Sequence, residues 1–300
     1  MTSELIQTIA EVRSRLALSR VRERTIGLVP TMGALHSGHA ALIERARGDC
    51  QMVVVSIFVN PLQFDRRDDY DAYTIDLAKD VEFCSRLGVD LVFAPSTDEM
   101  YPEALSTFVE VEGASEHLCG MFRPGHFRGV ATVVAKLLNI VGPGKAYFGE
   151  KDAQQLAVIA RMVDDLNMPV EIVPVPTVRE PDGLALSSRN KRLTAEERKI
   201  APMLYKALQL AAGYIRDGCK SAAEVRNLAI SYLQARTEFR VEYLEVVDAE
   251  SMTPVEQIAG PVRIAVAAWL GSVRLIDNVK ASFQGSSVSV SSTKRSTAIE

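Results

Sequence analysis

The sequence predicts an α/β protein: a parallel sheet with helices on both faces, followed by a smaller α+β domain. Three observations carry this. Short β-branched apolar runs alternate repeatedly with stretches of helical periodicity up to about residue 175, the pattern of right-handed crossovers in a parallel sheet. Residues 52–59 are apolar except for Ser56 and rich in Val, as in a strand buried on both faces. After Pro176 the pattern changes to paired amphipathic helices and then to strands joined by Gly271-Ser272, a hairpin turn.

Each element follows in order. Leu5, Ile9, Val12 and Leu16 recur at helical spacing, so the opening segment is expected to be an amphipathic helix leading into a strand that ends at Pro30. A Gly- and His-rich turn follows, with a helix from about Gly38. The strand at 52–59 ends in Asn60-Pro61-Leu62-Gln63-Phe64, which brings Asn60 and Gln63 to the same carboxyl edge as the histidines. Residues 65–76 are dense in charge and are expected to form a mobile surface loop beside that edge. A helix over 77–87 leads to a strand over 89–93, and residues 107–111 alternate like an edge strand open to a second subunit. The loop at 122–129 sets Arg123, His126 and Arg128 ahead of a helix over 130–141. A strand over 145–148, a turn over 149–152, a helix over 153–166 and a strand over 170–175 complete this half.

Thr194 and Glu197 form a capping box for one long helix reaching about residue 215, and a second helix covers 222–235. Strands are expected over 241–247, 262–270 and 273–276. The domains are accordingly 1–183 and 184–283, with a Ser- and Thr-rich tail at 284–300 that is expected to be disordered.

Composition excludes several classes of function. Three hundred residues, 47% hydrophobic and 24% charged, suit a globular protein with a core that needs no staples. A net charge of -4, with Lys and Arg scattered, offers no basic surface for nucleic acid. No apolar run is long enough to span a membrane. Cys50, Cys84, Cys119 and Cys219 form no Cys-x-x-Cys pair, and the first residues look like a polar helix rather than a signal peptide, so free thiols in a cytoplasmic protein are expected. Gly-x-Gly-x-x-Gly, the P-loop and Gly-x-Ser-x-Gly are all missing.

The candidate site is the strand, turn and helix of residues 25–43. In a parallel sheet the carboxyl end of the strand meets the amino end of the helix, where unpaired N–H groups and the helix dipole favour an anion. His36 and His39 lie within one turn there. Their spacing alone equally suits two histidines that serve only the fold. Zinc is disfavoured, because the spacing is not His-Glu-x-x-His and no third soft ligand is near. Their place at a helix start favours phosphate, with an imidazole N–H stabilising charge on a phosphorus oxygen. Lys151, in a Gly-x-Lys-Asp turn after a strand, adds a cation.

These segments together carry a resemblance. His36-Ser37-Gly38-His39 is similar to the His-x-Gly-His signature of nucleotidyltransferases. More specifically, the ordered set Val29-Pro30-Thr31-Met32-Gly33, Ser56 through Phe64, Arg123 through Val130, Phe148-Gly149-Glu150-Lys151-Asp152 and Leu186-Ser187-Ser188-Arg189-Asn190 resembles the pantothenate synthetase, or pantoate-β-alanine ligase, family over nearly residues 5–282. The resemblance implies a Rossmann-like domain with a small C-terminal lid, a homodimer, and an ATP- and Mg2+-dependent reaction. Pantoate and β-alanine would be joined through a pantoyl adenylate, releasing pyrophosphate and AMP.

It also implies site residues. His39 would be the proton donor, acting with His36, Lys151 and Arg189. ATP would be held by Met32, Gly33, Ala34, Leu35, His36, Ser37, Gly38 and His39, by Gly149, Glu150, Lys151 and Asp152, by Val178, and by Leu186, Ser187, Ser188 and Arg189. Gln63 and Gln155 would grip pantoate and β-alanine, with Asn60 and His126 beside them. Mg2+ would ride mainly on the ATP phosphates, with Asp80 as a candidate protein ligand. Two departures from the family pattern stand out. Thr74-Ile75-Asp76 replaces Pro-Arg-Thr, losing a cation near the entrance, and Ala153 replaces an aromatic, which predicts looser packing.

Overall fold

The computed structural model describes residues 2–65, 70–71 and 73–283. The tail expected to be disordered, and residues 66–69 and 72 of the charged loop, lie outside the described residues. The first domain is built on a parallel sheet of β1 (Glu4–Ile6), β2 (Ile26–Thr31), β3 (Met52–Ile57), β4 (Leu91–Phe93), β5 (Lys145–Gly149) and β6 (Glu171–Val175), in the spatial order β1-β4-β3-β2-β5-β6. From β2 the chain runs outward through β3 and β4 on one side, then returns to β5 on the other. The strand order therefore reverses between β2 and β5, where a crevice opens at the carboxyl ends of both strands.

Period-two alternation loads both faces of this sheet. Leu28, Val54 and Ala146 point into a core shared with α1 (Ile9–Val21) and the helix over His126–Val141, whereas Val29, Val53, Val55 and Tyr147 point into a core shared with α2 (Ser37–Asp49) and α3 (Leu77–Arg86). Two single-turn helices, α4 (Thr97–Met100) and α5 (Cys119–Phe122), precede α6 (His126–Val141), and α7 (Ala153–Asp165) joins β5 to β6.

The second domain has its own core. Its helices are α8 (Ala195–Ile200), α9 (Met203–Arg216) and α10 (Ala222–Gln234), and its antiparallel sheet is β7 (Phe239–Asp248), β8 (Val262–Leu270) and β9 (Val273–Ala281). Leu204, Leu208 and Ile215 of α9 pack with Val225, Leu244, Ile264 and Leu275.

Four expectations are corrected. The opening segment is not one helix. Glu4–Ile6 pairs in parallel with β4, Ile6 being buried and Leu5 exposed, and the helix starts only at Ile9 with Val12 and Leu16 inward. Three residues are too few to reveal a period of two against a helical pattern that follows. Residues 107–111 form no strand. The Val109 N–H donates to Thr132 Oγ1 at 3.0 Å and Arg128 lies 3.8 Å over the Phe108 ring, so this segment is tied to α6 rather than presented as a sheet edge. The helix expected over 194–215 is two helices, because Pro202 supplies no N–H to continue the ladder. The last strand continues well past 276, to Ala281.

The departures at 74–76 and 153 are absorbed locally. Asp76 caps α3, accepting from the Lys79 N–H and pairing with its ammonium. Ala153 is buried among Leu118, Val247, Met252 and Ala265, where the two domains meet.

Gly129 sets how closely α6 approaches the turn Pro61–Gln63: a Cβ there would collide with the Leu62 carbonyl. Gly129→Ala is therefore expected to cost about 2 kcal/mol or more through backbone displacement. Urea unfolding checks this, and a loss below about 0.5 kcal/mol would show that the turn yields freely.

Candidate active site

The site begins with the cap of α2. His36 is the N-cap residue, in extended backbone conformation, and its Nδ1 accepts the Gly38 N–H at 3.0 Å; His39 Nδ1 accepts the His36 N–H at 3.2 Å. This is a capping box in which both side chains are imidazoles. It fixes two things. The rings lie 4.1 Å apart, centroid to centroid, and each neutral ring must carry its proton on Nε2, the nitrogen the cap leaves over. Gly38 is required beneath them, because a Cβ there would come within 2.9 Å of two atoms of the His36 ring.

Burial keeps these rings neutral. His39 is lowered from 6.5 to about 3 by desolvation, with His36 and Lys151 adding to the effect against Asp152. His36 is lowered as well, first by desolvation and then by Lys151 and Lys191. At neutral pH the pair is thus two uncharged N–H donors beside a lysine.

The loop ahead of the cap is held from behind. Gly33 and Ala34 have φ of +83° and +52°, and the Asp80 carboxylate of α3 accepts the Ala34 and Leu35 N–H groups at 2.9 and 2.8 Å. Asp80 is buried and does not line the cleft. As the candidate protein ligand for magnesium it would have to use the lone pairs that these two bonds to the loop backbone leave over. Ile75 completes the backing, lying where a Cβ on Gly33 would meet it at 2.7 Å.

The cleft itself, of about 490 Å³, opens where β2 and β5 part. Met32, His36, Gly38 and His39 line one wall, and Gly149, Lys151 and Asp152 line another. Gln63, Gln155 and His126 lie on the same cleft, as do Val178 and Leu186, Ser187, Ser188 and Arg189. Gly33, Ala34, Leu35, Ser37 and Glu150 lie outside its lining, the first three in the loop backed by Asp80.

Asn60 also stands behind the wall. It is buried, its Nδ2 donates to Gln63 Oε1 at 3.2 Å and to the Gly129 carbonyl at 3.1 Å, and its Oδ1 accepts from the Tyr101 hydroxyl at 2.8 Å. Asn60, expected among the residues around pantoate and β-alanine, stands behind the lining of the cleft, where its side chain orients Gln63. His126 Nδ1 donates to the Gln63 carbonyl at 2.7 Å, so the same glutamine is fixed at its backbone too. Arg123 donates to that carbonyl and pairs with Asp65 at 2.8 Å, setting a cation at the rim of the cleft.

Neutral donors, one lysine against them, and two amides across a cleft suit a ligand with a polyphosphate and a hydroxylated acid. Residues 4–280 match a family model described as pantoate-beta-alanine ligase. The chain belongs to that family. Pantothenate synthetase of Moorella thermoacetica is 54% identical over 276 residues, covering 92% of this chain and 98% of that protein. The one from Thermotoga neapolitana is 52% identical, covering 91% and 98%. Among solved structures, pantothenate synthetase from Thermus thermophilus superposes with a TM-score of 0.87 at 49% identity over 92% of this chain and 98% of that one. The Francisella tularensis pantoate-beta-alanine ligase, solved with beta-gamma ATP and beta-alanine, gives 0.76 at 37% over 92% and 97%.

For this ligase, the sequence concealed the second layer of the site. Nothing local marks Asp80 or Tyr101 as supports of the loops, since each acts on a segment far away in the chain. The depressed histidines have a consequence for stability. Their folded-state pKa values lie below the ordinary one, so the unfolded chain binds more protons as pH falls below about 6.5, and the stability present above that pH is lost toward acid. Unfolding free energy should drop between about pH 6.5 and pH 5, and His39→Gln should make the drop shallower. Denaturant melts over that range check it; equal slopes in both proteins would mean that His39 is exposed.

Proposed function

We infer that the protein joins pantoate to β-alanine at the expense of ATP, through a pantoyl adenylate. The observation that carries this is the imidazole capping box facing Lys151 across a cleft whose next wall presents Gln63 and Gln155. A pantoate carboxylate oxygen attacks the α-phosphorus, the bond to the bridging oxygen breaks, and pyrophosphate leaves. The β-alanine amine, having lost a proton, then attacks the acyl carbon; the acyl C–O bond breaks and AMP leaves.

Negative charge grows on the departing pyrophosphate in the first step. The Nε2–H groups of His36 and His39, uncharged, donate hydrogen bonds to phosphate oxygens without reorganising, and the neutral His39 ring acts by that bond rather than by giving up its proton. Lys151 and Arg189 supply positive charge, Arg189 from the turn Ser188–Arg192 that Ser187 caps. Amide groups suit pantoate's hydroxyls because they donate and accept without adding charge, and Asn60 and His126 hold Gln63 ready for them.

Magnesium belongs to this reading as a companion of ATP. The described residues contain no cluster of three or more His, Cys, Asp or Glu side chains that could hold a metal, and Asp80 is engaged elsewhere. That donor set suits an ion retained mainly by the phosphates, with Asp152, whose charge acts on both imidazoles, as the protein carboxylate beside it. The ion would neutralise phosphate charge when bound.

The division at residues 183 and 184, a cytoplasmic location and a homodimer complete the proposal. In support of the first two, Leu184 packs in the C-terminal core, and no helix among the described residues is long and apolar enough to cross a membrane. Pyrophosphate release should require ATP and pantoate together, and AMP with pantothenate should appear only once β-alanine is added. A coupled assay with single omissions tests this; no pyrophosphate with all three substrates present would refute it. His39→Ala should lower turnover by about two orders of magnitude or more while the protein stays folded. Unchanged turnover would remove His39 from the mechanism.

A further inference from the structure

The turn that carries Lys151 is a three-residue 3-10 helix, Glu150–Asp152, and Gly149 ahead of it offers no side chain to cap it. Its restraint comes from the other domain. Asn278, on β9, reaches across and donates both hydrogens of its amide, to the Glu150 carbonyl at 2.8 Å and to the Lys151 carbonyl at 2.9 Å. The orientation of that amide is forced from its other end, where Oδ1 accepts from the Arg263 guanidinium. Reversing the amide would set oxygen against two carbonyl oxygens and nitrogen against a cation.

The surroundings have the character of a built support. Asn278, Arg263 and Asp277 are all buried, and the Glu150 side chain is gripped by Lys280 and Arg263. Asp277 meets Arg179 in a bidentate pair at 2.6 and 2.9 Å and also accepts the Asn278 N–H, while the Arg179 guanidinium lies 3.7 Å over the Tyr205 ring. One strand of the C-terminal sheet thus anchors both the link between the domains and the turn at the edge of the cleft.

We propose that Asn278 is a positioning residue for Lys151, so that the C-terminal domain sets where the ammonium meets the triphosphate of ATP. Asn278 lies among the residues that line the cleft, but its amide is spent on Arg263 and on the turn, so it acts through two main-chain carbonyls. The consequence is that the phosphate grip of the first domain is complete only when the second is docked. This rests on the ligase reading, in which Lys151 faces ATP phosphates.

A double-mutant cycle tests it, read as kcat/KM for ATP in pantoate-dependent exchange of radiolabelled pyrophosphate into ATP, which is sensitive enough to follow a Lys151 variant. Asn278→Ala is expected to lower this quantity roughly 10- to 30-fold, the scale of two hydrogen bonds, and to change it less than about twofold when Lys151 is already Ala. A support that served only stability would multiply the two losses instead, and that result overturns the proposal, as does an Asn278→Ala protein with full exchange activity. If Asn278→Ala does not fold, as judged by thermal melting, Asn278→Ser takes its place in the same cycle with the same expected pattern. Wild-type protein without pantoate-dependent exchange would overturn the ligase reading itself, and the proposal with it.

Discussion

The arrangement depends on one exchange of hydrogen bonds: two imidazoles occupy the capping positions that Ser, Thr or Asp and Glu usually take at a helix start. A helix amino terminus has orphan N–H groups that must be met, and here they are met by His36 and His39 through Nδ1. Folding therefore selects the tautomer. The cap needs an acceptor at Nδ1, a neutral ring then bears hydrogen at Nε2, and the reaction needs a donor there. Burial acts in the same direction by opposing the charged form, although a bound polyphosphate would offset that tendency.

Around this cap the fold supplies precision in layers. The sheet places the loop after β2 opposite the turn after β5, because the strand order reverses between them. Each of the segments that meet there is then held by a buried polar side chain: Asp80 and Asn278 reach from distant parts of the chain to the loop over Gly33 to Leu35 and to Lys151, and Asn60 holds Gln63 from three residues away. Fixing backbone donors and acceptors from behind leaves the front of each loop available to a ligand, and it makes the ligand-facing geometry insensitive to the solvated rim.

The sequence disclosed the front of the site far better than its back. Strand ends and a helix start are local features, so the strand, turn and helix of residues 25–43 could be read directly, and so could the gathering of Gln63, Lys151 and His126 at strand ends or helix starts. Ordered motifs extended this to Arg189 and Gln155. What failed was what depends on pairing. β1 is too short to show alternation before α1 begins, and residues 107–111 alternate but the Val109 N–H is spent on the Thr132 side chain. The sequence places Asp80 and Asn60 near motifs, but a carboxylate or amide there carries no mark of which way it points. Their burial and their partners decide that, and both come from tertiary packing.

The same reasoning bears on why the second domain is attached where it is. An acyl adenylate is a mixed anhydride that water would consume, so its cleft gains from a cover. Cover alone would be served by any apolar surface, such as the contact of Met252 and Ala265 with Leu118 and Ala153. The buried amide and guanidinium on the C-terminal sheet are costly to desolvate and would be poor choices for a mere cover. The amide's bonds, two to the Lys151 turn and one from Arg263, satisfy its burial and confer direction as well, because two carbonyls and one oriented amide define a docking geometry that apolar contact leaves free to slide. Excluding water and aiming the lysine are thereby consequences of one docking event.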